Sequence, residues 1–306
     1  MQRRTLACRR VHPAVSPRAA RRRARRSPAA ALLTAALAAF TALAAPPAAR
    51  AESAAAPGAD RPTEGEPPSV ATALFIVGVD LEIAGRSLTY SDLLSDNLRS
   101  YSVLGVPMPA IRGELFPLAR SRLPVLSDLG VALSYARAIG LDSEGDGGAS
   151  VSTSWSRLRA DLRGRYRPLG DAGPVAFASA GLSWTGYDVE AGDDPSRDVV
   201  SVSYTALRLG LDGRLPAGPV AVEAGAGLQV PLSTGKLASY FREPSAAGVD
   251  LRAAVAVPFA PRLEARAGAS YTRFFYDFDS EPGDMYVAGG ALDQLFSLHV
   301  GVAYAY

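Results

Sequence analysis

The amino-acid sequence predicts an all-β fold: a transmembrane antiparallel up-and-down β-barrel of ten strands, or of eight if the irregular second segment is not one. Three observations predict it. Segments of about ten to fifteen residues alternate apolar with small or polar side chains, the period of two that belongs to strands. The breaks between them alternate between short and long. After residue 51 no apolar run approaches the ~18 residues of a spanning helix. A membrane chain built this way has to close into a barrel, because only helices and closed barrels satisfy every backbone polar group in lipid.

Residues 1–51 read as a cleaved export signal rather than as part of the fold. An arginine-rich stretch (Arg18, Arg21, Arg22, Arg23, Arg25, Arg26) precedes the apolar run from Ala29 to Ala45, and Ala49-Arg50-Ala51 supplies a small-x-small cleavage pattern. This segment takes eleven of the 32 basic residues and none of the 30 acidic ones, which leaves 21 against 30 and a net charge of −9. Such a balance provides no basic face for a nucleic acid. Cys8 is the one cysteine and goes with the signal, so disulfides and thiol chemistry are not expected. Residues 52–70, rich in Ala, Pro, Gly and charge, read as a disordered periplasmic lead-in. Residues 71–306 are the barrel.

Ten segments follow. The first, 72–84, puts Phe75, Val77, Val79, Leu81 and Ile83 on one face. The second, 101–117, is the least regular because of Pro107 and Pro109. The third, 129–140, alternates Leu129, Val131, Leu133 and Tyr135; the fourth, 151–166, alternates Leu158, Ala160, Leu162, Gly164 and Tyr166. The fifth and sixth are 175–187 and 200–214, the latter with Leu207, Leu209 and Leu211. The seventh, 220–232, carries Val222, Ala224, Ala226, Leu228 and Val230; the eighth, 249–259, carries Val249, Leu251, Val255, Val257 and Phe259. The ninth is 263–275. The tenth, from about Ala291, places Phe296, Leu298, Val300, Val302, Tyr304 and Tyr306 on every second position.

Short breaks around residues 170–173, 216–219 and 260–262, and a moderate one at 119–128, alternate with longer ones at 92–100, 142–150, 188–198, 233–247 and 277–290. Ten strands put both chain ends on the short-turn side. Aromatics gather toward segment ends: Tyr101, Tyr135, Trp155, Trp184, Tyr187, Tyr204 and the run 271–276 near long breaks, and Phe116, Tyr166, Phe259, Tyr304 and Tyr306 near short ones. Two such rings are expected as girdles at the two lipid–water interfaces. A soluble sandwich would also alternate, but would carry charge outside and bulk inside, the reverse of what is found.

Alternation that closes on an aromatic resembles the final strand of bacterial outer-membrane barrels, with no particular subfamily indicated. The resemblance implies short periplasmic turns, long outer loops and an outer-membrane location. It also implies lipid and lipopolysaccharide as surroundings, and a terminal strand (Phe296, Leu298, Val300, Val302, Tyr304, Tyr306) read by the barrel-assembly machinery.

With those side chains toward lipid, the opposite parity faces the lumen and carries the charge. Arg157, Arg159, Asp161, Arg163 and Arg165 share one face of the fourth strand. Asp80, Glu82, Arg112, Glu114, Arg208, Asp212, Glu223, Arg252, Glu264 and Arg266 also point inward. A ten-stranded barrel is only slightly wider than one that side chains fill, so an Arg–carboxylate network is expected to plug it. The role that follows is structural, or one of surface interaction through acidic loops. The alternative is a narrow porin-like channel lined by the arginine ladder.

Enzyme chemistry is the least favoured reading. His299 is the sole histidine after the signal and points inward beside Ser297 and Asp293. The three are spaced along one strand, whereas a catalytic triad must converge. The omptin proteases, also ten-stranded, keep acidic residues and a histidine at the outer rim, and no long loop here holds a histidine. A hydrogen-bonded lumen histidine is the expected role, and no cofactor is expected. The acidic loop residues (Asp142, Glu144, Asp146; Glu190, Asp193, Asp194, Asp198; Asp277, Asp279, Glu281, Asp284) lack the spacing of a calcium loop but could hold divalent cations against lipopolysaccharide phosphates. Tyr240-Phe241 and Tyr286 would either contact a partner or pack on the rim.

Overall fold

The computed structural model describes residues 70–94, 98, 100–121, 125–144, 150–189, 201–241, 244–281 and 283–306. The expected signal, the lead-in up to residue 69, and Asp146, Glu190, Asp193, Asp194 and Asp198 lie outside them. The strands are β1 (Phe75–Ser91), β2 (Tyr101–Leu115), β3 (Leu129–Arg137), β4 (Asp142–Glu144), β5 (Ser150–Tyr166), β6 (Val175–Val189), β7 (Val202–Ala217), β8 (Val220–Ser233), β9 (Ser245–Ala260), β10 (Leu263–Asp277) and β11 (Gly290–Ala305). One helical turn, α1 (Leu237–Tyr240), lies between β8 and β9.

Each long strand pairs antiparallel with its sequence neighbours, and β1 pairs with β11, so the sheet closes. Ten strands form the wall. The short β4 pairs only with β5, as an offset continuation of β3. The third segment, expected as one strand to residue 140, is thus interrupted: Gly140 adopts a positive φ of 60° and turns the chain. The second segment, despite its prolines, is a full strand. Most strands run a few residues farther than alternation indicated, mainly at their outer ends.

Following paired residues once around the wall from Phe75, through Leu115, Val131, Leu162, Ala180, Leu209, Leu228, Val249, Arg273 and Gln294, returns to β1 at Ser87, twelve residues on. Ten strands with that stagger tilt by about 40°. Two turns have only two residues: β7 joins β8 through Gly218-Pro219 and β9 joins β10 through Pro261-Arg262, with Gly218 at φ 66° and Arg262 at φ 70°, the left-handed backbone that two-residue hairpins favour. Pro231 and Pro258 each sit beside a register shift, where a missing N–H costs no regular bond.

Alternate side chains face out, as the alternation predicts: Val79 is 58% and Leu298 64% exposed, and Val77, Leu81, Ile83, Val300 and Val302 join them. The ten residue steps from Tyr306 to Phe296 span about 25 Å of height at this tilt. Of the aromatics expected in the girdles, Tyr135, Tyr166, Trp184 and Phe259 are exposed on the outside. Trp155, Tyr187, Tyr204 and Tyr276 are not: they are buried inside the barrel, as is Phe116. Their parity explains this: Trp155 shares a face with Arg157, Tyr204 with Arg208, Tyr276 with Arg266, Phe116 with Arg112, and Tyr187 with the lumen serines Ser179 and Ser183.

Gly181 is among the glycines that carry a steric requirement. A Cβ on Gly181 would lie 2.0 Å from the Ala160 carbonyl oxygen and 2.6 Å from the Asp161 Cα, whereas one on Gly213 would meet nothing within 4 Å. Gly181→Ala is expected to cost about 1–3 kcal/mol as overpacking against backbone, with Gly213→Ala near neutral. Urea unfolding of the barrel refolded into vesicles measures the difference. Equal midpoints would contradict it.

Candidate functional site

The functional candidates lie in the lumen, and they stack in three tiers. In the outer tier Arg86 of β1 and Asp293 of β11 are fully buried. Arg86 Nε donates to Asp293 Oδ1 at 3.0 Å and its Nη2 to Oδ2 at 2.9 Å. Tyr204 of β7 donates its hydroxyl to the same Oδ2 at 2.6 Å, which ties opposite sides of the wall together. The guanidinium lies 4.3 Å over the Tyr187 ring. Aromatic rings surround this group: Tyr204 stacks on Phe274 at 4.0 Å, and Phe241 on Phe278 at 3.7 Å. Leu237 of α1 is buried in the same cluster, so an outer loop contributes to it. Phe241, one of the two loop aromatics considered for partner contact, is therefore packed inside, and Tyr240 sets its ring edge-on against Tyr286 at 4.6 Å.

The middle tier is ionic. Arg208 pairs bidentately with Asp250 (3.1 and 2.9 Å), donates to Ser179 Oγ at 2.9 Å and reaches Asp161 at 3.4 Å. Arg252 donates to Asp212 at 2.5 Å and Arg112 to Asp80 at 2.5 Å, while Arg157 pairs with Glu82. Arg159 stands 3.9 Å from Asp250. Glycines make room for these groups: a Cβ on Gly210, Gly225 or Gly227 would strike Arg208, Asp212 or Asp250 respectively. A cavity of about 250 Å³ remains among them, with Asp80, Glu82, Arg112, Arg159, Arg252 and His299 in its lining.

The inner tier closes toward the short turns. Arg163 donates to Glu114 at 2.7 Å; Arg214 bridges Glu223 (2.6 Å) and Glu264 (2.7 Å); Arg266 also pairs with Glu223. Arg165 donates to Asp128 at 3.1 Å and to the carbonyls of Val70 (3.3 Å) and Ala73 (3.2 Å), which holds the start of the described chain in this mouth. Outside the strands, desolvation lowers the Arg167 pKa, but its bonds to Asp128 and Asp171 outweigh that and hold it above the usual arginine value.

Of the ten lumen residues singled out from sequence, eight line the cavity and Arg165 and Glu264 do not, and Arg163, 3.9 Å from Asp212, links the middle and inner tiers. Arg157, Arg159, Asp161 and Arg252 lie in the middle tier; Arg163, Arg165, Glu223, Glu264 and Arg266 lie in the inner one. His299 faces the cavity, yet its Nε2 is buried without a protein hydrogen-bond partner, so the expected hydrogen-bonded histidine is not found at that atom. Ser297 bonds Ser270 and Asp293 bonds Arg86, so these two and His299 form no triad. Among the described residues, no three His, Cys, Asp or Glu side chains come together as metal ligands. Alternation did not single out Arg86, Tyr204 or Asp250; their parity was the available signal.

No protein-family model matches the chain, and no curated protein matches it in sequence. Solved structures with some likeness include the outer membrane protease OmpT of Escherichia coli (8% identity, TM-score 0.43, covering 76% of this chain and 96% of that one). Others are Neisserial surface protein A (14%, 0.34, 76% and 97%) and the toluene transporter TodX of Pseudomonas putida (10%, 0.33, 79% and 93%). The barrel assignment rests on this chain's own strand pairing.

Proposed function

We propose that the chain is an integral outer-membrane barrel whose lumen is filled by its own side chains, with a structural or surface-interaction role through acidic outer loops. The observation that carries this reading is the outer tier, where a buried ion pair and stacked rings from opposite sides of the wall meet across the lumen. The outward apolar belt, about 25 Å tall, has the height of a lipid-facing band. Export would use the signal in residues 1–51. Lipopolysaccharide and divalent cations would meet the loops, where Asp142, Asp277, Asp279 and Glu281 are exposed. The assembly machinery would engage β11.

The middle cavity, with its arginine lining, is what favours the narrow-channel alternative. Planar-bilayer recording separates the two. The filled barrel is expected to give no steady openings; stable openings with anion preference would overturn it in favour of the channel.

A further inference from the structure

The lumen cavity continues past the middle tier toward the short turns. Arg163, Arg214, Glu223 and Arg266 of the inner tier all border it, and so do Phe177 and Ile76 near the feet of β6 and β1. These side chains line its lower part without sealing it. The remaining lining residue at that end is Val70, which belongs to no strand. It is part of residues 70–74, the described chain that leads into β1.

This segment runs across the inner mouth. At one end the Leu74 N–H donates to the Tyr306 backbone oxygen at 2.5 Å, and the Leu74 carbonyl accepts the Phe116 N–H at 2.7 Å, which fixes it at the foot of β1 between β11 and β2. Ala73 is fully buried, in one cluster with Ile76, Ala303 and Ala305 of these same walls. At the other end Ala71 is buried in a cluster with Phe116, Val175 and Phe177. Val175 and Phe177 belong to β6, four strands from β1 around the wall. Between the two ends Arg165 of β5 holds the carbonyls of Val70 and Ala73, with its guanidinium 4.1 Å over the Phe116 ring. Alanine at 71 and 73 lets the backbone sit this deep in the mouth. Regular pairing of β1 starts after the segment, at Phe75↔Leu115 and Ile76↔Ala305, so its departure leaves the ladder whole.

The two ends of the lumen are therefore closed in different ways. Wall side chains close the outer end, through Arg86, Asp293, Tyr204 and the stacked rings. A stretch of chain outside the wall completes the inner one. We propose that residues 70–74 are a strap that shuts the lumen cavity on the periplasmic side, and that withdrawing the strap opens the cavity at that end. This rests on the filled-lumen reading above.

A thiol in the cavity reads access to it. In Cys8→Ser protein, Ala254→Cys puts the one thiol on the cavity lining. The probe is a small sulfonate-bearing methanethiosulfonate added to protein folded in micelles, where both mouths meet water. Reaction is expected to be slow in the intact chain, since a group behind a packed segment reacts only through rare local opening, and at least about ten-fold faster when residues 52–73 are deleted. Ala71→Phe/Ala73→Phe keeps the full length, puts rings where two buried alanines leave no space, and should accelerate the reaction likewise. Unboiled gel migration identifies the folded protein in each case. Leu295→Cys, buried in the outer aromatic cluster, should stay slow in the same variants. Slow reaction at 254 in the folded variants would overturn the strap alone, as would equal acceleration at 254 and 295, which marks a general loosening of the barrel. Fast reaction at 254 in the intact chain would overturn the filled-lumen reading and the strap with it.

Discussion

Asp293→Ala is expected to destabilise the barrel by about 3–5 kcal/mol, the cost of leaving a buried charge without its partner. Arg86 would keep its fully buried position and lose every acidic contact it makes, and Tyr204 would lose its acceptor. The magnitude comes from the stranded guanidinium more than from the bond itself. The triple change Arg86→Met/Asp293→Leu/Tyr204→Phe should therefore recover most of the loss, because it removes charge, counter-charge and hydroxyl together. Urea midpoints in vesicles read both. A triple variant as unstable as Asp293→Ala would mean that the ion pair, not the removal of charge from the core, sets stability at this tier.

Arg208→Ala is expected to have an effect of the same order, about 3–5 kcal/mol, for a related reason. It strands Asp250, which Arg208 holds in two bonds, and removes the nearest cation from Asp161. Arg159 is placed to compensate, at 3.9 Å from Asp250. A double-mutant cycle with Arg159→Ala measures that compensation. Greater-than-additive loss is expected; strict additivity would show that Arg159 does not take over Asp250.

Most of the fold was legible because the wall is one strand thick, so a period of two fixes both the strand and its two faces. β11 is the clearest case: its alternation sets Leu298 and Val300 outside and Ser297 and Asp293 inside. The ring of aromatics near the long loops was harder to place, because position along a strand gives height but not side. Trp155 falls on the same parity as Arg157 and Arg159, and that parity, not its height, decides where it points. Lumen partners were not legible at all. Arg86 and Asp293 are 207 residues apart, and meet only because the first and last strands are neighbours in a closed sheet. The β2 prolines were visible as an irregularity, but that the strand runs on through them depends on its pairing with β1. The break after Arg137 likewise depends on the backbone at Gly140.

Spin labels placed one at a time from Phe296 to Val302 in vesicles decide whether a closed barrel sets alternate residues of β11 against lipid and lumen. Oxygen accessibility is expected to be high at 296, 298, 300 and 302 and low at 297, 299 and 301, a period of two. Uniform accessibility, a period near 3.6, or water-soluble relaxant reaching the even positions would contradict it.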